Sequence, residues 1–128
     1  MTERIITGLM LIVAIIHLLP LVGAIGVERV NALYATSISD PTLEILMRHR
    51  AVMFGILGGF FAYAAFMPAM QPIAFIAAAI SVGSFFWFVY GVGDPSGALS
   101  SIVIADIVAT IALGGAVVLY LANRSAGL

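Results

Sequence analysis

The chain has 128 residues, of which 63% are hydrophobic and only 9% charged. Soluble domains carry about a quarter charged residues, so a single domain of this length has too little polar surface to cover a soluble core, and lipid is the expected solvent. Net charge is −1, with five arginines, no lysine and no cysteine, which excludes a basic nucleic-acid surface, disulfides and thiolate metal sites.

The first apolar run covers residues 5–25. The stretch Met1-Thr2-Glu3-Arg4 before it and the small residues around Ala24 have some of the features of a secretion signal. The run is nevertheless long enough to cross a bilayer, and Glu3 sits beside Arg4, so it reads as a retained transmembrane helix. It holds His17 and then Pro20, which leaves the Ile16 carbonyl without its helical partner. The following connection, residues 26–41, sets Val27, Val30, Leu33 and Tyr34 at helical spacing, with Glu28, Arg29 and Asn31 between them. That pattern reads as a short helix in the headgroup layer or as an extension of the first helix.

The second run, residues 43–67, follows Asp40-Pro41-Thr42, with Thr42 as the expected N-cap. It carries Glu44 and the cluster Arg48-His49-Arg50. Ala51, Gly55 and Gly59 form a ladder of small residues that admits a neighbouring backbone, from this chain or from a second copy. The third run, residues 73–92, begins after the Pro68 and Pro72 turn and ends near Ser84, Trp87 and Tyr90. The fourth, residues 98–122, follows the turn Gly93-Asp94-Pro95-Ser96-Gly97 and contains Asp106 and Thr110, with Ala105 and Ala109 as a second small pair. Barrel strands would be about half as long and would alternate. The short links make the last three helices alternate up and down. The expected fold is all-α: an antiparallel four-helix transmembrane bundle with a short interfacial helix after the first span, forming one domain over residues 1–128.

An ionisable side chain in hydrocarbon is costly and usually faces a bundle interior or cavity. At about 1.5 Å rise per residue, His17 and Asp106 both fall about 12 Å from the membrane face opposite the N-terminus, and Arg48 to Arg50 about 8 to 10 Å from it. Ser84, Trp87 and Tyr90 reach similar or shallower depth. Polar groups from all four helices thus gather in one half of the bilayer. Helical periodicity puts Glu44, Arg48, Val52, Gly55 and Gly59 on one stripe and turns Arg50 nearly opposite, towards the headgroups. His17, Asp106 and Arg48 are therefore the candidate catalytic set. Glu28, Glu44, His49, Arg50, Ser84, Trp87, Tyr90 and Thr110 are the candidate ligand contacts. Each also has a packing reading: Asp106 as the ion-pair partner of an arginine, His17 as a helix-packing donor, Arg50 and His49 as interface residues, Trp87 and Tyr90 as aromatic-belt anchors, and Glu28 as a solvated edge residue.

No metal site is expected, for lack of buried carboxylates, and no phosphate loop, nucleophile elbow or zinc motif is present. His17 and His49 at similar depth give weak support for haem ligation, and no cofactor is expected. A small multidrug exporter would carry a glutamate within its first helix, where this chain has His17.

The stretches from His17 to Gly23, from Glu28 to Tyr34 and from Asp40 to Gly55, together with Ala105-Asp106, resemble a group of small four-helix bacterial integral membrane proteins over nearly the whole chain. The resemblance implies the fold and a location in the bacterial inner membrane, multi-pass. Some members carry the name phosphopantetheine adenylyltransferase. That enzyme is a soluble α/β transferase with a His-x-Gly-His phosphate motif, which this chain lacks. A looser likeness, of architecture alone, is to four-helix membrane sterol isomerases. The leading functional expectation is a polar intramembrane pocket for a small lipophilic molecule, with acid–base isomerase-like chemistry: His17 and Asp106 exchanging protons and Arg48 stabilising negative charge. The alternatives are a structural scaffold or subunit, and a small proton- or cation-coupled transporter. Expected partners are the lipid bilayer and the lipophilic ligand, with a homo-oligomer through the Ala51, Gly55 and Gly59 face and no nucleic acid.

Overall fold

The computed structural model describes residues 1–93 and 97–127, and every regular element among them is helical. Five α-helices follow in order: α1 (Thr2–Leu18), α2 (Val27–Tyr34), α3 (Pro41–Ala65), α4 (Gln71–Val92) and α5 (Ser100–Ala126). Short 3-10 segments cover Leu19–Ala24 and Pro68–Met70. Four spans are long and apolar enough to cross a membrane: Thr2–Ala24, Pro41–Ala65, Pro68–Val92 and Ser100–Ala126. Their outer faces carry exposed branched side chains such as Ile56, Ile80 and Ile111, as a lipid-facing surface requires.

Local chemistry explains the boundaries. Pro20 has no N–H to donate to Ile16, so α1 ends at Leu18 and the chain tightens into 3-10 geometry instead of continuing to residue 25. The α3 cap is Asp40 rather than Thr42. Its carboxylate oxygens accept from the Thr42 and Leu43 amides at 3.1 and 3.3 Å, and Pro41 fills the first helical position, where no N–H is needed. The segment after the first span is a separate helix, α2, and not a continuation of α1. It ends on Ala35 in the left-handed region, φ 50°. There Asn31 Oδ1 accepts from the Ile38 amide and the Thr36 hydroxyl, tying down the descending chain. Asp94, Pro95 and Ser96, on which the expected turn before α5 is centred, lie outside the described residues.

The four long helices form a ring of neighbours in which α1 packs on α3 and α5, and α4 more sparsely on the same two. Helices in lipid gain little from apolar burial, so close packing between small residues carries much of their association. Here the core is built on Ala14, Ala64, Ala65, Ala74, Ala78, Ala112 and Ala116, with Phe61, Met10 and Ile6 filling between them. On α3 the close approach to the first span runs through Ala51, Gly55 and Gly58. A Cβ on Gly58 would lie 2.7 Å from Leu18 Cγ and 3.0 Å from the Ala14 carbonyl oxygen, and one on Gly55 would collide with Leu21. Gly59, the third rung expected from the sequence, has nothing within 4 Å of such a Cβ. Ala51 and Gly55 are thus occupied by contacts within the chain. Gly23 does the same for α2: a Cβ there would lie 3.1 Å from Val30, whose side chain is buried beside Tyr34.

Candidate intramembrane site

A cavity of about 190 Å³ opens where all five helices meet. The first span contributes His17 and Pro20, α2 Leu33 and Tyr34, and α3 Arg50 and Phe54. Ser81 and Phe85 come from α4, and Ser101, Ala105 and Asp106 from α5. The walls are mostly apolar, and the polar groups on them are few, which is the usual makeup of a small-molecule pocket.

His17 is 2% exposed and held on every side. Nδ1 lies 2.9 Å from the Val13 carbonyl, and Nε2 lies 3.0 Å from Ser81 Oγ. A carbonyl only accepts, so Nδ1 carries a hydrogen, and in the neutral ring Nε2 is the acceptor for the Ser81 hydroxyl. The ring stacks on Phe54 at 5.7 Å and meets the edge of Phe61 at 4.8 Å. The Arg50 guanidinium lies 4.7 Å from the Phe54 ring centre and 5.3 Å from that of Tyr34, and Nη1 donates to the Tyr34 hydroxyl. Tyr34, Arg50, Phe54, His17 and Phe61 therefore form one continuous run of ring and cation contacts. Such contacts lower the cost of a charge held away from water.

Asp106 is half-buried on the cavity wall, which Arg50 also lines. Arg48 paired with Glu44 is the one ion pair among the described residues, so Arg50 and Asp106 face a shared space without closing a salt bridge. A molecule between them would meet a guanidinium, a carboxylate, a phenol and an imidazole–hydroxyl pair.

The arginines have exchanged the places the helical stripes gave them. Arg48 does not line the cavity. Nε and Nη2 donate to the Ala24 carbonyl at 3.3 and 3.1 Å, and Nη1 donates to Glu44 at 3.1 Å. It fastens α3 to the end of the 3-10 segment. Arg50 turns inward because α1 lies over Ala51, Gly55 and Gly58, which makes the Arg50, Phe54 and Phe61 stripe the interior one. Glu44 is therefore engaged with Arg48, and His49 and Glu28 are exposed. Ser84 is exposed and donates to the Ser81 carbonyl at 3.0 Å. Trp87 and Tyr90 are 77% and 87% exposed, because they lie on outward faces of α4 while Ser81 and Phe85 face in. Thr110 is exposed, and its hydroxyl donates to the Asp106 carbonyl at 2.7 Å.

With both nitrogens of His17 engaged and His49 pointing out, the two histidines do not converge as an axial pair. Among the described residues no group of three or more potential metal ligands comes together. The lining residues Ser81 and Ser101 were not singled out from the sequence, and Tyr34 was read there only as part of the short helix. The signal for Ser81 was present, a hydroxyl within an unbroken apolar run, but Ser84 one turn later carries the same signal. No protein-family model, curated protein or solved structure matches the chain.

Proposed function

We propose that this chain is a multi-pass protein of the bacterial inner membrane, of the small four-helix group it resembles, and that it binds a compact lipophilic molecule bearing one polar oxygen. The bundle would be antiparallel, with α2 along the membrane surface. In support, the cavity is lined by the end of the first span, the middle of α3 and the first turns of α5, as expected of an antiparallel bundle. The observation that carries the reading is the cavity with His17, Arg50 and Asp106 on its wall. A cavity of about 150 Å³ holds a benzene-sized ring, so a volume of about 190 Å³ suits a single ring or the head of a longer molecule whose tail lies among the acyl chains.

The chemistry that fits is acid–base isomerisation. Asp106 takes a proton from a carbon next to a carbonyl. The charge that develops on the carbonyl oxygen is met by Arg50 and the Tyr34 hydroxyl, and Asp106 returns the same proton at another carbon, while His17, its nitrogens committed to Val13 and Ser81, shapes the wall. Arg50 takes the charge-stabilising role expected of Arg48, which is occupied at Ala24 and Glu44.

The test is extraction of the purified protein with organic solvent, followed by mass spectrometry. Wild type should release a lipophilic compound in near-stoichiometric amount. Ala105→Phe, which fills the cavity, and Asp106→Asn, which keeps its shape, should both lose that compound while keeping the helical circular-dichroism spectrum. Equal recovery from all three proteins, or none from wild type, would sink the reading.

A further inference from the structure

A second space, of about 380 Å³, lies at the other end of the bundle. It is walled by the first turns of α1, the α3–α4 corner and the last turns of α5, and it differs in kind from the first. Glu3 and Arg124 both face it, yet no ion pair joins them and Glu3 has no hydrogen-bonded partner for its carboxylate among the described residues. Arg124 is held in place by Tyr120: Nη1 donates to the phenol oxygen at 3.3 Å, and the guanidinium lies 5.9 Å from the ring centre. Tyr120 is itself fixed edge-on to Phe75 at 5.4 Å.

The most informative group here is Gln71. It is 5% exposed and lines this space, and its side chain makes no hydrogen bond among the described residues. No fully buried side-chain nitrogen or oxygen lacks a partner, so the small exposed remainder of Gln71 is its amide, open to the groove. An amide that opens into a groove without a protein partner is satisfied there by water or by a ligand. Thr7 is already committed, its hydroxyl lying 2.9 Å from the Ala65 carbonyl and 3.0 Å from that of Glu3.

An anion and a cation on one groove, neither in an ion pair among the described residues, with a donor–acceptor amide in its wall, match a zwitterion better than any singly charged ligand. The groove sits at the end of four membrane-length helices, and Phe66 on its rim is 66% exposed. We infer that the groove holds the headgroup of an aminophospholipid, a phosphate diester linked through a short spacer to a primary ammonium, with its acyl chains running down the outside of the bundle. Arg124 and the Gln71 amide nitrogen donate to the phosphate. Glu3 and the Gln71 amide oxygen accept from the ammonium. The headgroup pairs with the open amide and both charges together.

Native mass spectrometry of the full chain in detergent, titrated separately with phosphatidylethanolamine, phosphatidylcholine and phosphatidylglycerol, tests this. Phosphatidylethanolamine should bind about tenfold or more tightly than phosphatidylcholine, which keeps the phosphate and loses the N–H donors. Glu3→Gln should bring it down to the phosphatidylcholine level. Arg124→Gln should weaken all three lipids. Both residues are exposed, so both variants are expected to keep the helical circular-dichroism spectrum of wild type. Ala105→Phe, at the opposite end, should change nothing, which separates this site from the cavity. Equal binding of phosphatidylethanolamine and phosphatidylcholine, or a preference that survives Glu3→Gln, overturns the site. Displacement of the lipid by equimolar glycerophosphoethanolamine overturns the lipid as the occupant and assigns the groove to a free phosphoethanolamine ester.

Discussion

The half of the bundle around Phe61 and the half around Arg50 are built from opposite materials. In the first, alanines on α1, α3, α4 and α5 bring helix backbones together, and Ala64 and Ala116 are wholly buried. In the second, Phe54, Tyr34, Phe85 and a guanidinium stand between the helices and hold them apart, and a cavity remains. Helices close where side chains are small and stay open where they are bulky and polar. The alanine packing provides the stability, and the space left around Arg50 lies between the helices, whereas the one at the other end opens beyond that packing, at the helix ends.

Substitutions can break or sharpen that contrast. The largest effect is expected for Phe61→Ala, in the closed half, because Phe61 is 1% exposed and packs on His17; a loss of about 3–5 kcal/mol is expected, read as a lowered midpoint in detergent-titrated unfolding. Gly58→Val should follow at about 1–3 kcal/mol, since the added methyls meet Leu18 and the rigid Ala14 carbonyl. Ser81→Ala leaves Nε2 of His17 without its donor and should cost about 1 kcal/mol by the same measurement. Arg48→Gln and Arg50→Gln form the most discriminating pair. The first should lower stability by about 1 kcal/mol through the Ala24 carbonyl and leave co-purification of the lipophilic compound intact, and the second should abolish co-purification. The smallest effect belongs to Trp87→Ala and Tyr90→Ala, each within about 0.5 kcal/mol of wild type and with co-purification of the proposed compound unchanged.

The four spans were legible because each needs only an apolar run between prolines or turn residues. His17 and Asp106 were legible because an ionisable group in such a run is rare for energetic reasons. What was not legible was facing. The two arginines are two positions apart, about 200° around the helix, and which of them points inward depends on where α1 lies against α3. Gly58 marks that approach, whereas the small-residue spacing from Ala51 and Gly55 pointed to Gly59 beside it. Asp40 and Thr42 posed the same difficulty at smaller scale: both residues can cap, and Pro41 in the first turn settles the choice.

The switch from α to 3-10 geometry at Pro20 also sets a length. A 3-10 segment rises about 2.0 Å per residue against about 1.5 Å in an α-helix, so the 23-residue span Thr2–Ala24 reaches roughly 37 Å, nearly that of the 25-residue span Pro41–Ala65. The proline thus acts as a spacer that equalises two unequal segments against one hydrocarbon thickness. Replacing it with alanine would let the first span contract by about 3 Å, a mismatch that the bilayer or the bundle tilt must then absorb.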